Sequence, residues 1–286
     1  MEPLVAALVL TSAVLHPLWN AMIKRQGRIE GAFFGLFATF CAFGLIHSLV
    51  AGYDLFAIFA LWPLMALSWL GQMLYGVGLA AALRRGDLSA YYPIVRSSPL
   101  FIVFVGWAVL GETYAPALMI GIAMVLIGAF WLQRKPGKRL LDDPIALFYA
   151  VVAMAGTGFY SIADARLMQV VEAPVLMFWI QVFTLPGYAI VFRYLGGSTG
   201  YDHVWGWLRT PWMSLAIGAL CYASYYLILL AFQLGGAVAA VTSVRQASIP
   251  ISVLLGGLWL KEQGLLTRLS ASVLLAAGIV VIILLR

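Results

Sequence analysis

Charge is what this chain has least of. Only 10% of its 286 residues are Asp, Glu, Lys or Arg, against 64% hydrophobic residues and a mean hydropathy of +0.99. That is far too little polar surface to cover a water-soluble globule, so the composition excludes one and points to an integral membrane protein whose first partner is the lipid bilayer. Cysteine is almost absent too: Cys41 and Cys221 both lie within apolar runs and supply neither a disulfide framework nor a metal site. The chain contains no G-x-x-x-x-G-K-S/T phosphate loop, no H-E-x-x-H and no Cys/His metal spacing. ATP-driven pumping, metalloenzyme chemistry and a bound cofactor are therefore not expected. The net charge of +6 does not imply nucleic acid, because the basic residues sit in short clusters between apolar runs, where they set orientation.

What fills the chain instead is apolar runs of membrane-spanning length. They predict an all-α integral membrane fold with ten transmembrane helices, over 2–23, 31–52, 57–83, 88–110, 115–133, 144–168, 174–196, 212–234, 238–260 and 266–285. The first run follows Met-Glu-Pro directly, with no basic leader and no cleavage pattern, and reads as the first helix rather than a removable signal. The most polar connection, RKPGKRLLDDP, separates five spans from five spans. This divides the chain into a first unit over 1–135, a linker over 136–143 and a second unit over 144–286.

Two spans carry an arginine in their interior. Leu88–Glu112 reads LSAYYPIVRSSPLFIVFVGWAVLGE, and Val238–Glu262 reads VAAVTSVRQASIPISVLLGGLWLKE. In each, an Arg is followed three to five residues later by a Pro, then by an apolar run closed by Glu. Placing Arg96 on Arg245 brings Tyr75 close to Tyr225 and sets Glu112 near Glu262; Gly128 then falls on Gly278, and Trp19 corresponds loosely to Tyr160. The second half thus repeats the first. Because five is odd, the second copy enters the membrane from the other side. The result is an inverted repeat, an arrangement that places a substrate site near the midplane between repeats.

An intramembrane charge is costly and is a functional candidate by default. A planar, permanently charged guanidinium suits a carboxylate or phosphate held bidentately where water is sparse, so Arg96 and Arg245 lead the candidate substrate-binding residues. Around them we place His16, Trp19, Asn20, Tyr75, Tyr92, Ser98, Tyr160, Tyr225 and Gln246, mid-span polar and aromatic groups that want partners. Trp69 and Tyr226 also lie well inside spans. Pro17, Pro93, Pro99 and Pro250 mark expected helix bends where a cavity or gate can form. Of the 11 acids, only Asp164 falls plausibly within a span; with no other acid in the middle, proton coupling is not evident, the coupling ion stays open, and the cavity does not suit cationic drugs.

Thirteen Lys and Arg residues fall on one side of this topology and two, Arg166 and Arg286, on the other. By the positive-inside rule the basic loops are cytoplasmic and both termini face outward.

The Trp19-Asn20 pair in the first helix, the Pro and closing Glu of the fourth and ninth, and the glycine-spaced fifth and tenth resemble the drug/metabolite transporter superfamily of EamA type, over essentially the whole chain. Within it, the character is similar to bacterial inner-membrane amino acid exporters of the YddG type. The resemblance implies a basket of ten helices around a central cavity lined by helices 1, 3, 4, 6, 8 and 9, which maps onto Trp19, Tyr75, Tyr92, Arg96, Tyr160, Tyr225 and Arg245. It implies that Glu112 and Glu262 are elements of the fold. Many members keep their termini in the cytoplasm, and the charge count departs from that.

The expected function is non-enzymatic: export of small carboxylate-bearing metabolites, most simply amino acids, by alternating access across a bacterial-type inner membrane. Carriage of phosphorylated or sugar-linked metabolites, or broad drug export, is an alternative of the same class; a membrane-embedded enzyme or lipid-handling scaffold is one of a different class. The sequence leaves oligomeric state open.

Overall fold

In the structure, a computed structural model, residues 1–24, 29–85, 94–133, 143–196, 211–251 and 265–284 are described. They are helical throughout, with no strand among the described residues. A backbone in lipid has to satisfy its own polar groups, and the helix does so within one segment.

The helices are α1 (Pro3–Lys24), α2 (Ile29–Ala51), α3 (Trp62–Arg85), α4 (Ser98–Ala108), α5 (Pro116–Gln133), α6 (Pro144–Leu167), α7 (Ala173–Gly196), α8 (Pro211–Gln233), α9 (Val238–Val244) and α10 (Leu265–Leu284). Among the described residues, five stretches are long and apolar enough to cross a membrane: Phe34–Ala51, Ala57–Leu79, Pro144–Leu167, Ala173–Val191 and Pro211–Gln233. Pro3–Trp19, Ser98–Ala108, Pro116–Trp131 and Ser270–Leu284 are shorter apolar helices.

Most bounds fall within two or three residues of the apolar runs, but three spans differ in kind. The third opens as a 3-10 helix, Ala57–Leu61, before α3 begins at Trp62. The fourth, expected as one helix over 88–110, is interrupted: residues 96 and 97 form a turn and α4 starts only at Ser98. The ninth is interrupted in the matching place, where α9 stops at Val244, Arg245–Ala247 winds as a 3-10 helix, and residues 248–251 are helical again.

The prolines stand in different relations to these interruptions. Pro99 does not bend a helix from within; it occupies the first turn of α4, where its missing N–H is one that no helix could pair. Pro250 stands four residues after Gln246, so its missing N–H withholds the ladder bond from a carbonyl inside the 3-10 turn. Pro17 does lie inside α1, and Pro186, not singled out from the sequence, lies inside α7. Pro93 lies outside the described residues, as does the linker up to 142. Asp143 caps α6, its carboxylate accepting from the backbone N–H of Ile145 and Ala146 at 3.0 Å each.

Side by side, α3 runs along α6, α1 along α8, α5 along α10 and α2 along α7; α2 also meets α8, and α3 meets α7. The short helices cross between them: α4 against α6, α9 against α1, and α4 against α9. Small residues let the backbones approach, as is usual where lipid supplies no hydrophobic drive to pair helices. A Cβ on Gly156 would come within 2.5 Å of the Tyr75 backbone N, and one on Gly71 within 2.5 Å of the Tyr160 N. In the α5–α10 crossing, Gly121 faces the Gly278 carbonyl and Gly128 faces that of Ala271. Where α1 meets α8 the tie is polar: Ser12 Oγ donates to the Ser224 carbonyl at 2.6 Å, and Ser224 Oγ returns a bond to the Ser12 carbonyl at 3.1 Å.

One end of the bundle is closed by short turns joined to one another. The Met1 amino group donates to the Ile283 carbonyl, Trp179 Nε1 to Leu55 O, Gln169 Nε2 to Phe232 O, and Gln233 Nε2 to Glu172 Oε2. Gly111, at φ 68°, ends α4 in the left-handed conformation, and the Glu112 N–H reaches back to the Gly106 carbonyl at 2.8 Å. Tyr114 Oη donates to Glu112 Oε2 at 2.7 Å; burial, and then this bond, raise the Tyr114 hydroxyl above its ordinary range. Trp62, Trp131 and Trp212 are exposed at helix ends, as interfacial aromatics are.

Candidate functional site

The two helix interruptions meet at the centre. Arg96 sits in the turn before α4 and Arg245 opens the 3-10 turn after α9, so both guanidiniums leave the backbone where the regular ladder stops. Arg96 Nη2 donates to Ser248 Oγ at 3.4 Å, joining one break to the other. Helix α1, which carries His16, packs against both α9 and the 3-10 turn that Arg245 opens. His16 in turn packs edge-on against Trp19, with ring centroids 4.8 Å apart.

Arg245 lies over the face of Tyr225, its guanidinium carbon 5.8 Å from the ring centroid, a cation–π arrangement. Tyr225 contacts Tyr160 edge-on at 6.4 Å, and Tyr160 contacts Tyr75 at 6.2 Å. A chain of aromatic rings thus runs from α3 through α6 to α8 and ends beneath a guanidinium. Several donors and acceptors here are buried yet find no partner among the described residues: Arg245 Nε, Trp19 Nε1 and Gln246 Oε1. A buried polar atom left open is expensive unless something else completes it, so these atoms point to a ligand or ordered water.

The structure therefore brings together His16, Trp19, Tyr75, Arg96, Tyr160, Tyr225, Arg245 and Gln246. Ser98 is buried in the first turn of α4, behind the Arg96 turn. Tyr92 and the side chain of Asn20 lie outside the described residues. Trp69 of α3 is 37% exposed. Tyr226 turns toward the closed end of the bundle, stacking on Tyr222, whose hydroxyl meets His47 Nδ1 at 2.9 Å.

The sequence reading finds no deep acid, and the structure overturns that. Asp164 is only 1% exposed. One of its carboxylate oxygens accepts from Ser68 Oγ of α3 and the other from Tyr225 Oη of α8. The sequence did hold a signal: Asp164 follows Tyr160 by one helical turn and so shares its face. Ser68 and Ser248, which bind Asp164 and Arg96, gave none.

A solved chain described only as "Crystal structure of protein" is similar to this one, with a TM-score of 0.79 over 98% of both chains at 19% identity. At that identity the likeness speaks for the fold alone. No protein-family model matches the chain, and no curated protein matches it. Fold and composition together define a helical protein compatible with the membrane.

Proposed function

We propose that this protein is a secondary transporter that moves small carboxylate-bearing metabolites, amino acids foremost, through a central site between two five-helix halves. The observation that carries the reading is the convergence of Arg96 and Arg245 from two broken helices onto one cluster lined by His16, Trp19 and Tyr225. Two guanidiniums in an apolar bundle suit an anionic group, and the aromatic rings beside them tolerate varied side chains. Irregular backbone at membrane depth is tolerated where it lines a cavity, and paired broken helices are a common source of transporter sites.

The helix pairings support the inverted repeat. Exchanging the first five helices with the second five turns α3–α6 into α8–α1, α2–α8 into α7–α3, and α4–α6 into α9–α1, all of which are present; α2–α7, α4–α9 and α5–α10 map onto themselves. The Gly121–Gly278 approach becomes Ala271–Gly128 under the same exchange. These pairings support our reading of the chain as ten spans in two EamA-type units, a relative of the drug/metabolite transporters. On this reading the cluster carries out no covalent chemistry, the membrane is a bacterial-type inner membrane, and the basic loops are cytoplasmic.

Purified protein in liposomes tests the proposal by counterflow, in which a labelled mixture of L-amino acids enters vesicles preloaded with unlabelled ones. Uptake above empty liposomes is the expected result. Full activity in an Arg96→Ala, Arg245→Ala double variant would rule out the arginines as binding groups.

A further inference from the structure

Asp164 has no evident part in holding a carboxylate, and it is the acid around which three helices close. Its two oxygens are taken by different neighbours, Ser68 on α3 and Tyr225 on α8. Both donors are neutral hydroxyls, and no cation contacts the carboxylate among the described residues. The groups arrayed around it are few. On α3 the other titratable side chain nearby is Tyr75, reached through Tyr160; α4 and α9 contribute none over Ser98–Ala108 and Val238–Val244. On its own helix stand Tyr160 and Arg166, and on α8 Tyr225 is followed at the 3-10 turn by Arg245. Tyr225 stands between the two charges: its hydroxyl is bonded to Asp164 and its ring lies beneath Arg245.

This arrangement has two stable hydrogen-bonding states. An ionised carboxylate only accepts, and here both oxygens do so. A protonated one carries an O–H that must donate. Taking up a proton therefore obliges Ser68 or Tyr225 to turn from donor to acceptor or to move away. When Tyr225 moves, the ring under Arg245 moves with it.

We propose that Asp164 is the proton-binding site of the carrier, linked to substrate at Arg245 through Tyr225. The inference rests on the transport reading. A proton from water on one side adds to the Asp164 carboxylate; after the halves rock, it leaves to water on the other side, and no other bond is made or broken. Protonation removes the negative charge bonded to Tyr225 and, where the new O–H lies on that side, turns or displaces the Tyr225 hydroxyl, so Arg245 over the same ring holds an anion differently in each form. Affinities linked in this way are reciprocal, and that reciprocity is the coupling. A metal cation fits less well, since a carboxylate and two hydroxyls offer too few oxygens for a hard ion.

The test uses full-length protein in liposomes with the labelled L-amino acid mixture, in two assays: counterflow at equal pH, and accumulation driven by a pH gradient with and without a protonophore. In the wild type, a one-unit gradient supports accumulation of up to about tenfold for one proton per substrate. Asp164→Asn, whose amide accepts at one atom and donates from the other as the protonated acid does, keeps counterflow and loses the gradient-driven accumulation. Ser68→Ala, which removes a donor to the ionised form, moves the pH midpoint of transport upward; if Asp164→Asn fails to fold, this profile decides. Gradient-driven accumulation in Asp164→Asn, an unmoved midpoint in Ser68→Ala, or drive by sodium alone overturns the site while leaving the transport reading intact. So does an Asp164→Asn variant that only loses discrimination between amino acids and their desamino analogues. Absence of counterflow in the wild type sinks the transport reading itself.

Discussion

At position 245 the use of arginine, not lysine, carries information. The guanidinium is flat enough to lie over the Tyr225 ring while its buried Nε stays open to a ligand; an ammonium is a hydrated point charge with neither property. Arg245→Lys keeps the charge and loses the stacked fork. On the transport reading, its half-saturating substrate concentration in counterflow rises roughly ten- to a hundredfold, the value of one charge-assisted hydrogen bond with its ring contact. Unchanged saturation would mean that charge alone suffices. The two arginines were legible in the sequence because a cation in an apolar run is conspicuous. Asp164 was visible but discounted, since what makes it deep is the cover supplied by Ser68 and Tyr225 from other helices. No single-helix pattern displays that burial. Ser248, placed beside Arg96 by the meeting of two breaks, looks like any serine in a membrane helix.

At the scale of elements, apolar runs locate helices well and their interruptions poorly. Hydropathy dips at Arg96-Ser97-Ser98 and at Arg245-Gln246, but a dip does not distinguish a broken ladder from polar side chains carried on a continuous helix. The prolines were a second clue: the carbonyls that Pro99 and Pro250 cannot bond, at Val95 and Gln246, border or lie within the two breaks. Pro99 begins α4 and its ring fits the first turn, so Pro99→Ala changes stability by less than about 1 kcal/mol. Thermal unfolding in detergent checks this; a drop of several degrees with lost counterflow would restore a hinge role to the proline. The α3–α6 crossing behaves in the opposite way. A Cβ on Gly156 already meets the Tyr75 backbone at 2.5 Å, and backbone cannot step aside as a flexible side chain can. Gly156→Leu therefore destabilises by about 1–3 kcal/mol or more through overpacking. The same unfolding measurement reads it, and because the helix carries Tyr160 and Asp164, counterflow falls with it. A fully stable Gly156→Leu protein would mean that the two backbones are not in contact.

For the molecule as a whole, the open matter is which end faces the cytoplasm. The closed end gathers Met1, Ile283 and the turns at 52–57, 168–172 and 234–237, all poor in Lys and Arg. At the opposite end α1 finishes on Lys24 and α3 on Arg84-Arg85. The sequence anticipated this asymmetry because loop charge needs no tertiary information. The positive-inside rule then places the closed end outside, against the cytoplasmic termini that the family resemblance implies. Val170 offers a direct check, lying in the closed-end turn after α6 and 69% exposed. In a background with Cys41 and Cys221 replaced by Ala, Val170→Cys reacts with a membrane-impermeant maleimide on intact cells, while Lys138→Cys reacts only after permeabilisation. The reverse pattern would put the closed end in the cytoplasm and invert the assignment of the basic loops. On the proposed transport reading it would leave the central cluster and the Asp164 proposal in place, because exchanging the two sides of an inverted-repeat carrier would change the direction of opening and not the site at its middle.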